Sequence, residues 1–443
     1  MSRFLALIFG QTASQLGSGL TSFALGVWMF ETSGSATRFA LVAFFAMVPQ
    51  LFVMPLAGHL ADRWSRKGTM IVGDGIAGVL TLVLFLVFHF GLETYWIIYL
   101  VVGISAASTA VQQVGFQASV AMLVPRDQLG RANGLVQLGR SISMLFSPLA
   151  AGYLLGILGV DGILSIDLVT MVLAVGTVAL VRFPAMGVRP EEAAAAGAAK
   201  DDAAAEPAET GPPARKPSAF AEGWAYLRQR RGLLGLLAAF SCVNFCLGSV
   251  EALLTPLVLS MADETVLGQV LFFAGAGMLT GGLLLSTWGG PRRRVRGIMI
   301  LVALEGLVLV VCGSQPAVIF VTTAAFLFMV MTPMVAGTSQ ALWQSKVELE
   351  LQGRVFAVRQ TLAMASLPLA YLTAGPLADH VFEPAMAAGG RLAPILGPWV
   401  GTGPGRGMGL YFVLLGAMLI VMAAVSYSSR RIRHLETDLA DSV

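Results

Sequence analysis

Charge is scarce in this chain. Asp, Glu, Lys and Arg make up 12% of its 443 residues, against about 25% in an ordinary soluble domain. So few ions cannot cover a water-soluble surface, so a soluble enzyme or carrier is excluded and most of the chain must lie in lipid. Cysteine is scarcer still. Cys242, Cys246 and Cys312 all fall in apolar runs, which excludes a disulfide framework and makes the first two helix-packing residues rather than a metal site. The four histidines (His59, His89, His380 and His434) sit near the ends of apolar runs, with neither a Ser-His-Asp arrangement nor a metal-ligand cluster around them. No enzyme, metal or cofactor is therefore expected. No Gly-x-x-x-x-Gly-Lys-Ser/Thr loop occurs, so ATP is not a direct driver. The formal net charge of +3 is too small to point to nucleic acid.

What the chain has is hydrophobicity, 56% of its residues. A helix needs about 20 mainly apolar residues to cross a hydrocarbon core of about 30 Å. Twelve runs qualify, numbered here as spans one to twelve: 4–30, 38–60, 68–90, 95–121, 131–158, 162–182, 232–260, 265–289, 296–314, 316–343, 354–380 and 407–429. They lack strand alternation and are too long for strands. The first reads as a span and not as a cleaved leader. Lys and Arg crowd one alternate set of loops: Arg63, Arg66 and Lys67; Arg126 and Arg131; Arg292, Arg293, Arg294 and Arg296; Lys346 and Arg354; then Arg430, Arg431 and Arg433. The other loops hold little beyond Arg38, Arg391 and Arg406. By the positive-inside rule, both termini are expected in the cytoplasm of a bacterial-type cell, with the chain crossing its plasma membrane repeatedly.

Residues 184–217 break the pattern. They are rich in Ala, Pro and acid and lack apolar periodicity, which predicts a disordered cytoplasmic linker. The linker divides the chain into a six-span half over 1–183 and another over 232–430, with a cytoplasmic tail over 431–443. Between linker and second half, 218–231 places Phe220, Trp224 and Leu227 at helical spacing, with Arg228, Arg230 and Arg231 behind them. That pattern predicts an amphipathic helix lying on the membrane surface.

Two six-helix halves point to a transporter built from repeats, and one loop narrows this. "GHLADRWSRK" resembles the signature loop between spans two and three of the major facilitator superfamily, Gly-x-x-x-Asp-Arg-x-x-Arg-Lys, matched by Gly58, Asp62, Arg63, Arg66 and Lys67. "LVPRDQLGRANGL", "SIDLVTMVL", "EGWAYLRQ", "GGPRRRVRGI" and "GRVFAVRQTLAMASLPLAYLTAGPLAD" resemble the macrolide-efflux and siderophore-exporter branch, and the likeness runs over nearly the whole chain. It implies an all-α membrane protein of twelve transmembrane helices in two six-helix halves. It also implies that the loop is a cytoplasmic latch, in which Asp62 faces the dipole at the N-terminus of span eleven, near Gly353-Arg354, with Arg63 and Arg66 in the same cluster. Lys67 is equally well explained by topology alone. The matching loop of the second half keeps its bases but has no Asp, so the latch is expected on one half only. "GR" opens both span five (Gly130-Arg131) and span eleven (Gly353-Arg354), a trace of duplication.

Polar residues inside a span face protein or water. Stripes at helical spacing run through span one (Gln11, Gln15, Ser18, Ser22) and span four (Ser105, Thr109, Gln112, beside Gln113). Others run through span five (Asn133, Gln137, Arg140), span seven (Ser241, Asn244, Glu251) and span ten (Met329, Gln340, Trp343). The family fold sets spans one, four, seven and ten around a central cavity. A lining of amide, hydroxyl, Met and aromatic groups suits an amphiphilic organic molecule; the candidates are Gln11, Gln15, Gln113, Gln137, Asn244, Met329, Gln340 and Trp343. Exporters of the superfamily carry a glycine-rich pattern in span five. Here Gly134, Ser143, Ser147, Pro148 and Gly152 stand at its spacing, with Ser replacing Gly at two of these positions.

Few titratable groups lie within spans. Arg140 lies about 13 Å past Arg131 along its helix, near the midplane, and Arg359 lies nearer the cytoplasmic end. Asp167 is expected to brace packing. Glu251 and Arg140 are the leading candidates for proton coupling, followed by Asp74 and Glu305, whose spans the family places outside the bundle. The reading is a monomeric secondary transporter in the lipid bilayer, its partners a small-molecule substrate and the proton. It exports an amphiphilic drug, antibiotic, siderophore or peptide product by proton antiport with alternating access. The alternatives are uptake or lipid flipping on the same fold, and a membrane sensor that binds without transport. Asp62→Asn should leave expression and insertion intact but impair transport, since it removes a charge worth about 0.3–1 kcal/mol at a helix dipole; normal efflux by that variant would sink the latch.

Overall fold

The computed structural model describes residues 2–63, 65–125, 128–181, 219–315 and 317–438. Ten helical runs among these residues are long and apolar enough to cross a membrane. One of them, Leu129–Leu180, holds two spans. It breaks at Gly159 (φ 64°, ψ −176°), a left-handed conformation that glycine adopts without a Cβ clash. The twelfth span is Ser2–Ser33, whose apolar run is interrupted by its Gln, Ser and Thr stripe. The fold is thus all-α, with twelve spans as expected from sequence. The remaining spans are Ala36–Arg63, Arg66–His89, Tyr95–Leu123, Arg231–Leu259, Glu264–Trp288, Arg294–Ser314, Val318–Lys346, Leu349–Leu377 and Arg406–Ser428.

Local chemistry sets several ends. Ser65 starts span three, its Oγ accepting from the Gly68 amide at 3.0 Å, and Asp263 starts span eight by accepting from the Val266 amide at 2.9 Å. Each side chain satisfies an amide that the first helical turn leaves unpaired.

Packing repeats between the halves. Span one lies along spans five and six, span two on four, and span three on four and six. Span seven lies on eleven, eight on ten, and nine on ten and twelve. The first half keeps separate apolar clusters, one around Phe4, Leu7, Met70 and Phe116 and another around Met29, Leu84 and Ile98. A third cluster is shared, joining Leu20, Phe23, Ala24 and Val27 of span one to Val250, Leu253 and Leu257 of span seven.

The ends that carry Lys67, Arg131, Arg292–Arg296 and Arg354 form a basic face. Among the described residues, the specific contacts between the halves lie toward the opposite face. Gly152 of span five meets Gly268 of span eight so closely that a Cβ on Gly152 would stand 2.6 Å from the Glu264 carbonyl, and one on Gly268 would stand 2.6 Å from the Pro148 carbonyl. Thr265 Oγ1 donates to the Gly152 carbonyl at 3.3 Å, and Gln269 Nε2 donates to Tyr153 Oη at 3.1 Å. Beyond span eleven, Asp379 accepts from Ser35 Oγ at 2.6 Å and from the Ala36 and Thr37 amides at 3.0 and 2.9 Å. A carboxylate of the second half therefore caps the N-terminus of span two in the first.

The basic face is described in part. The side chains of Gly58, Asp62, Arg63 and Arg66, together with Arg126 and the predicted linker over 184–217, lie outside the described residues. Lys67 does more than set topology: its Nζ donates to the carbonyls of Ala179 and Val181 at 2.5 and 3.2 Å, closing the end of span six. Within the stretch 218–231, a helix runs over Ala219–Gln229. Phe220 and Trp224 are exposed on it, whereas Leu227 turns inward and is fully buried, with Tyr226 buried beside it. The expected apolar stripe is thus split between two faces, because the helix packs on span eleven.

Asp379→Ala removes the cap on span two and should cost about 1 kcal/mol of closure, roughly five-fold in population. Spin labels at Arg38 and His380, both exposed at this face, should report a longer separation by electron resonance; an unchanged distance distribution would show that Asp379 does not hold the face shut.

Candidate functional site

Four carboxylates lie well inside the spans, and the structure treats them differently. Asp74 on span three is buried, and Gln11 Nε2 donates to its Oδ2 at 2.9 Å. Gln112 Nε2 of span four in turn donates to Gln11 Oε1 at 2.5 Å. Asp167 on span six is 1% exposed and accepts from Thr21 at 2.8 Å, Ser18 at 3.2 Å and Thr81 at 3.4 Å. It therefore ties spans one, three and six together, the bracing role expected of it. Glu305 on span nine is also 1% exposed; its Oε1 accepts from Thr332 Oγ1 at 3.4 Å and its Oε2 has no partner. Asp74 and Glu305 each bond within their own half, to span one and span ten respectively.

Glu251 differs from the other three. It is exposed at the seam of spans seven and eleven, and the Tyr371 hydroxyl of span eleven donates to its Oε2 at 2.6 Å. A carboxyl that keeps one strong hydroxyl donor and stays accessible can exchange a proton; one sealed among side chains cannot do so without rearrangement. The expected partner, Arg140, is half-buried on span five and makes no ion pair with Glu251.

The second polar centre was not expected. Arg359 of span eleven donates from Nη1 to Gln340 Oε1 at 2.7 Å and from Nη2 to Ser339 Oγ at 3.2 Å. Its guanidinium carbon lies 5.0 Å from the Trp343 ring centre and 5.8 Å from that of Phe240. Spans seven, ten and eleven thus converge on one braced cation, about 15 Å in from the start of span eleven at 1.5 Å per residue.

The predicted cavity residues divide. Gln137 is exposed, and Gln15, Gln113, Asn244, Met329 and Gln340 are half-buried. Gln11 and Trp343, expected to line the cavity, are buried instead. Gln11 is 3% exposed, because it is spent on Asp74 and Gln112. Trp343 is fully buried beneath Arg359. In span five, Gly134 is exposed, Ser143 donates to the Gly139 carbonyl at 3.1 Å, and Ser147 donates to the Leu16 carbonyl at 3.2 Å. With Pro148 and Gly152, that face makes the contacts to spans one and eight. Of the gate residues, Arg131 is exposed and Arg354 is paired with Glu222 of the surface helix. Arg359 and Tyr371 had one legible signal each, a cation and a hydroxyl inside an apolar run.

A sequence profile of the Major Facilitator Superfamily matches residues 7–371. Macrolide efflux protein A of Streptococcus pyogenes is 27% identical over 98% of this chain and 97% of its own. The protein of that name from Enterococcus faecalis is 28% identical over 73% of this chain and 95% of its own. Multidrug efflux pump Tap of Mycobacterium bovis is 24% identical over 84% and 86%. Among solved structures, an inward-facing, unoccupied bacterial homologue of the human lysosomal transporter Spinster superposes with a TM-score of 0.68 at 13% identity, covering 99% of this chain and 98% of that one. A variant of the nucleoside transporter NupG superposes at 0.69 with 11% identity, covering 96% and 100%. These likenesses establish the shared fold.

Gln11→Leu should lower stability by about 1–3 kcal/mol, since it strips a donor from a buried carboxylate. Tyr371→Phe takes one bond from an accessible one and should cost less than about 1 kcal/mol. Thermal melting of both purified variants in one detergent tests the ranking; the reverse order would mean that Glu251, not Asp74, is the structural carboxylate.

Proposed function

The chain belongs to the major facilitator superfamily, and from that footing we propose that it exports a macrolide-like amphiphile by proton antiport. The observation that carries this reading is the accessibility of Glu251. Among the described carboxylates well inside the spans, it alone combines exposure with a single hydroxyl partner; Asp167 and Glu305 are sealed, and Asp74 is buried, with only its edge lining a groove between spans three and six. The full-length similarity to macrolide efflux proteins supports the substrate class and the direction.

With the basic face in the cytoplasm, the halves touch toward the outside, as an inward-open transporter requires. An amphiphile enters from the cytoplasm or inner leaflet and lies between Gln137 and Arg140 of the first half and Asn244 and Gln340 of the second. Arg359, fixed by Gln340 and Ser339, orients its polar groups. A lipophilic amine and a proton compete for one carboxylate, and that competition is antiport: Glu251 gives up its proton on the cytoplasmic side and takes one from outside after the halves rock. Tyr371 follows the carboxylate through both states, because its hydroxyl both donates and accepts. Opening outward requires parting Asp379 from span two and Gly152 from Gly268. Each is a short-range contact and neither is a buried ion pair, so their loss costs little.

The test is macrolide uptake into everted membrane vesicles with and without an acid interior. Uptake should follow the pH gradient, and Glu251→Gln should abolish accumulation while leaving macrolide binding measurable. Uphill accumulation by Glu251→Gln, with loss in Asp74→Asn or Glu305→Gln, would move the proton site to span three or nine. Gradient-driven accumulation in right-side-out vesicles would reverse the direction.

A further inference from the structure

Two adjoining cavities at the basic face have no part in the transport reading. The first, about 970 Å³, opens between the loop after span eight, the end of span ten and the segment after span twelve. Arg292, Arg293, Arg294, Arg296, Lys346 and Arg433 line it. Its acid, Glu436, is already engaged: Oε1 accepts from the Arg294 amide at 2.7 Å, capping span nine, and the Glu436 carbonyl accepts from Lys346 Nζ at 2.7 Å. Arg294 is likewise spent, donating to the Ala341 carbonyl at 3.2 Å and Ser345 Oγ at 2.9 Å. Arg292, Arg293, Arg296 and Arg433 are exposed and form no ion pair among the described residues.

The second cavity, about 350 Å³, is an apolar groove between spans nine and twelve. Span nine contributes Arg296, Met299, Ile300 and Ala303, and span twelve contributes Ile420, Ala423, Ala424 and Tyr427. Both sets follow the spacing of one helix face. Each ends at the basic face in a residue that lines both cavities, Arg296 on one helix and Tyr427 on the other. The small side chains of Ala303, Ala423 and Ala424 leave the hollow. It runs about 10 Å along the spans from Arg296, at 1.5 Å per residue.

From this pairing we propose that the protein holds an anionic phospholipid of the leaflet at its basic face, with the headgroup phosphate in the arginine cavity and an acyl chain in the groove. Topology asks only for bases somewhere in these loops. It asks neither for a cavity that gathers them nor for an apolar channel meeting that cavity at Arg296 and Tyr427. Guanidinium groups match a phosphate with paired donors, and bases beside a bilayer favour anionic over zwitterionic headgroups. A free phosphate would use the first cavity and have no need of the second. The site is separate from Glu251 and Arg359, and its test does not depend on transport.

The full-length protein, purified in detergent, is incubated with phosphatidylglycerol or with phosphatidylcholine of the same chains, and retained lipid is counted by native mass spectrometry. Phosphatidylglycerol should be preferred. The triple change Arg292→Gln, Arg293→Gln and Arg296→Gln should erode that preference by about five-fold per arginine. Ala303→Trp, which fills the groove from span nine, should displace the lipid with every arginine intact. Ala424→Trp repeats this from span twelve should the first variant melt early. Inorganic phosphate at millimolar concentration should not compete. Equal retention of the two lipids overturns the proposal, as does displacement by phosphate with no effect of either tryptophan, which would make the site one for a free anion.

Discussion

An ion inside a bilayer must find partners within the protein, because lipid offers none. The interior of this chain is organised by that constraint. Asp74 draws in Gln11, which draws in Gln112, and spans three, one and four are joined. Asp167 collects three hydroxyls and joins spans one, three and six. On the other half, Arg359 collects Gln340 and Ser339 and lies over two aromatic rings. Hydrophobic burial cannot orient helices in lipid, whose tails are as apolar as leucine. These polar knots give each half its fixed arrangement. Glu251 stands out because it is left outside such a knot, with one donor and an open side.

The surface helix extends this logic to the basic face. Glu222 pairs with Arg354 at the start of span eleven, Arg230 lies 3.5 Å from Glu348, and the Arg230 guanidinium stacks 3.6 Å from the Tyr226 ring centre. A segment that reads as a membrane-surface helix is therefore a brace on the span that faces the other half. Lys67 braces span six in the same way, by closing its last carbonyls.

Much of this was legible in the sequence. Apolar run length gave all twelve spans to within a few residues, since crossing a membrane needs a fixed length whatever the tertiary contacts. The break at Gly159 was legible as a boundary between spans five and six, though not as a break without a loop. Side-chain direction was the harder part. The stripes on spans one and ten were real, but spacing cannot tell a residue facing a cavity from one facing another helix, so Gln11 and Trp343 read as lining and proved buried. Asp379 was invisible for a different reason: it caps a helix more than three hundred residues earlier, and no local pattern carries such a partnership. Arg359 was noticed as a charge but not as a centre, because its partners come from two other spans.

Spans two and eleven lie against one another across the halves. Span two starts at the Asp379 cap and ends at the loop of Asp62; span eleven starts beside Arg354 and ends near Asp379. At the face opposite the bases, Asp379 fastens the end of one to the start of the other. The hold at that face thus rests on a catch worth about 1 kcal/mol. A single substitution far from the cavity is then enough to re-bias it. A lineage faced with a bulkier cargo could retune how tightly that face is held while leaving every residue that touches the cargo unchanged.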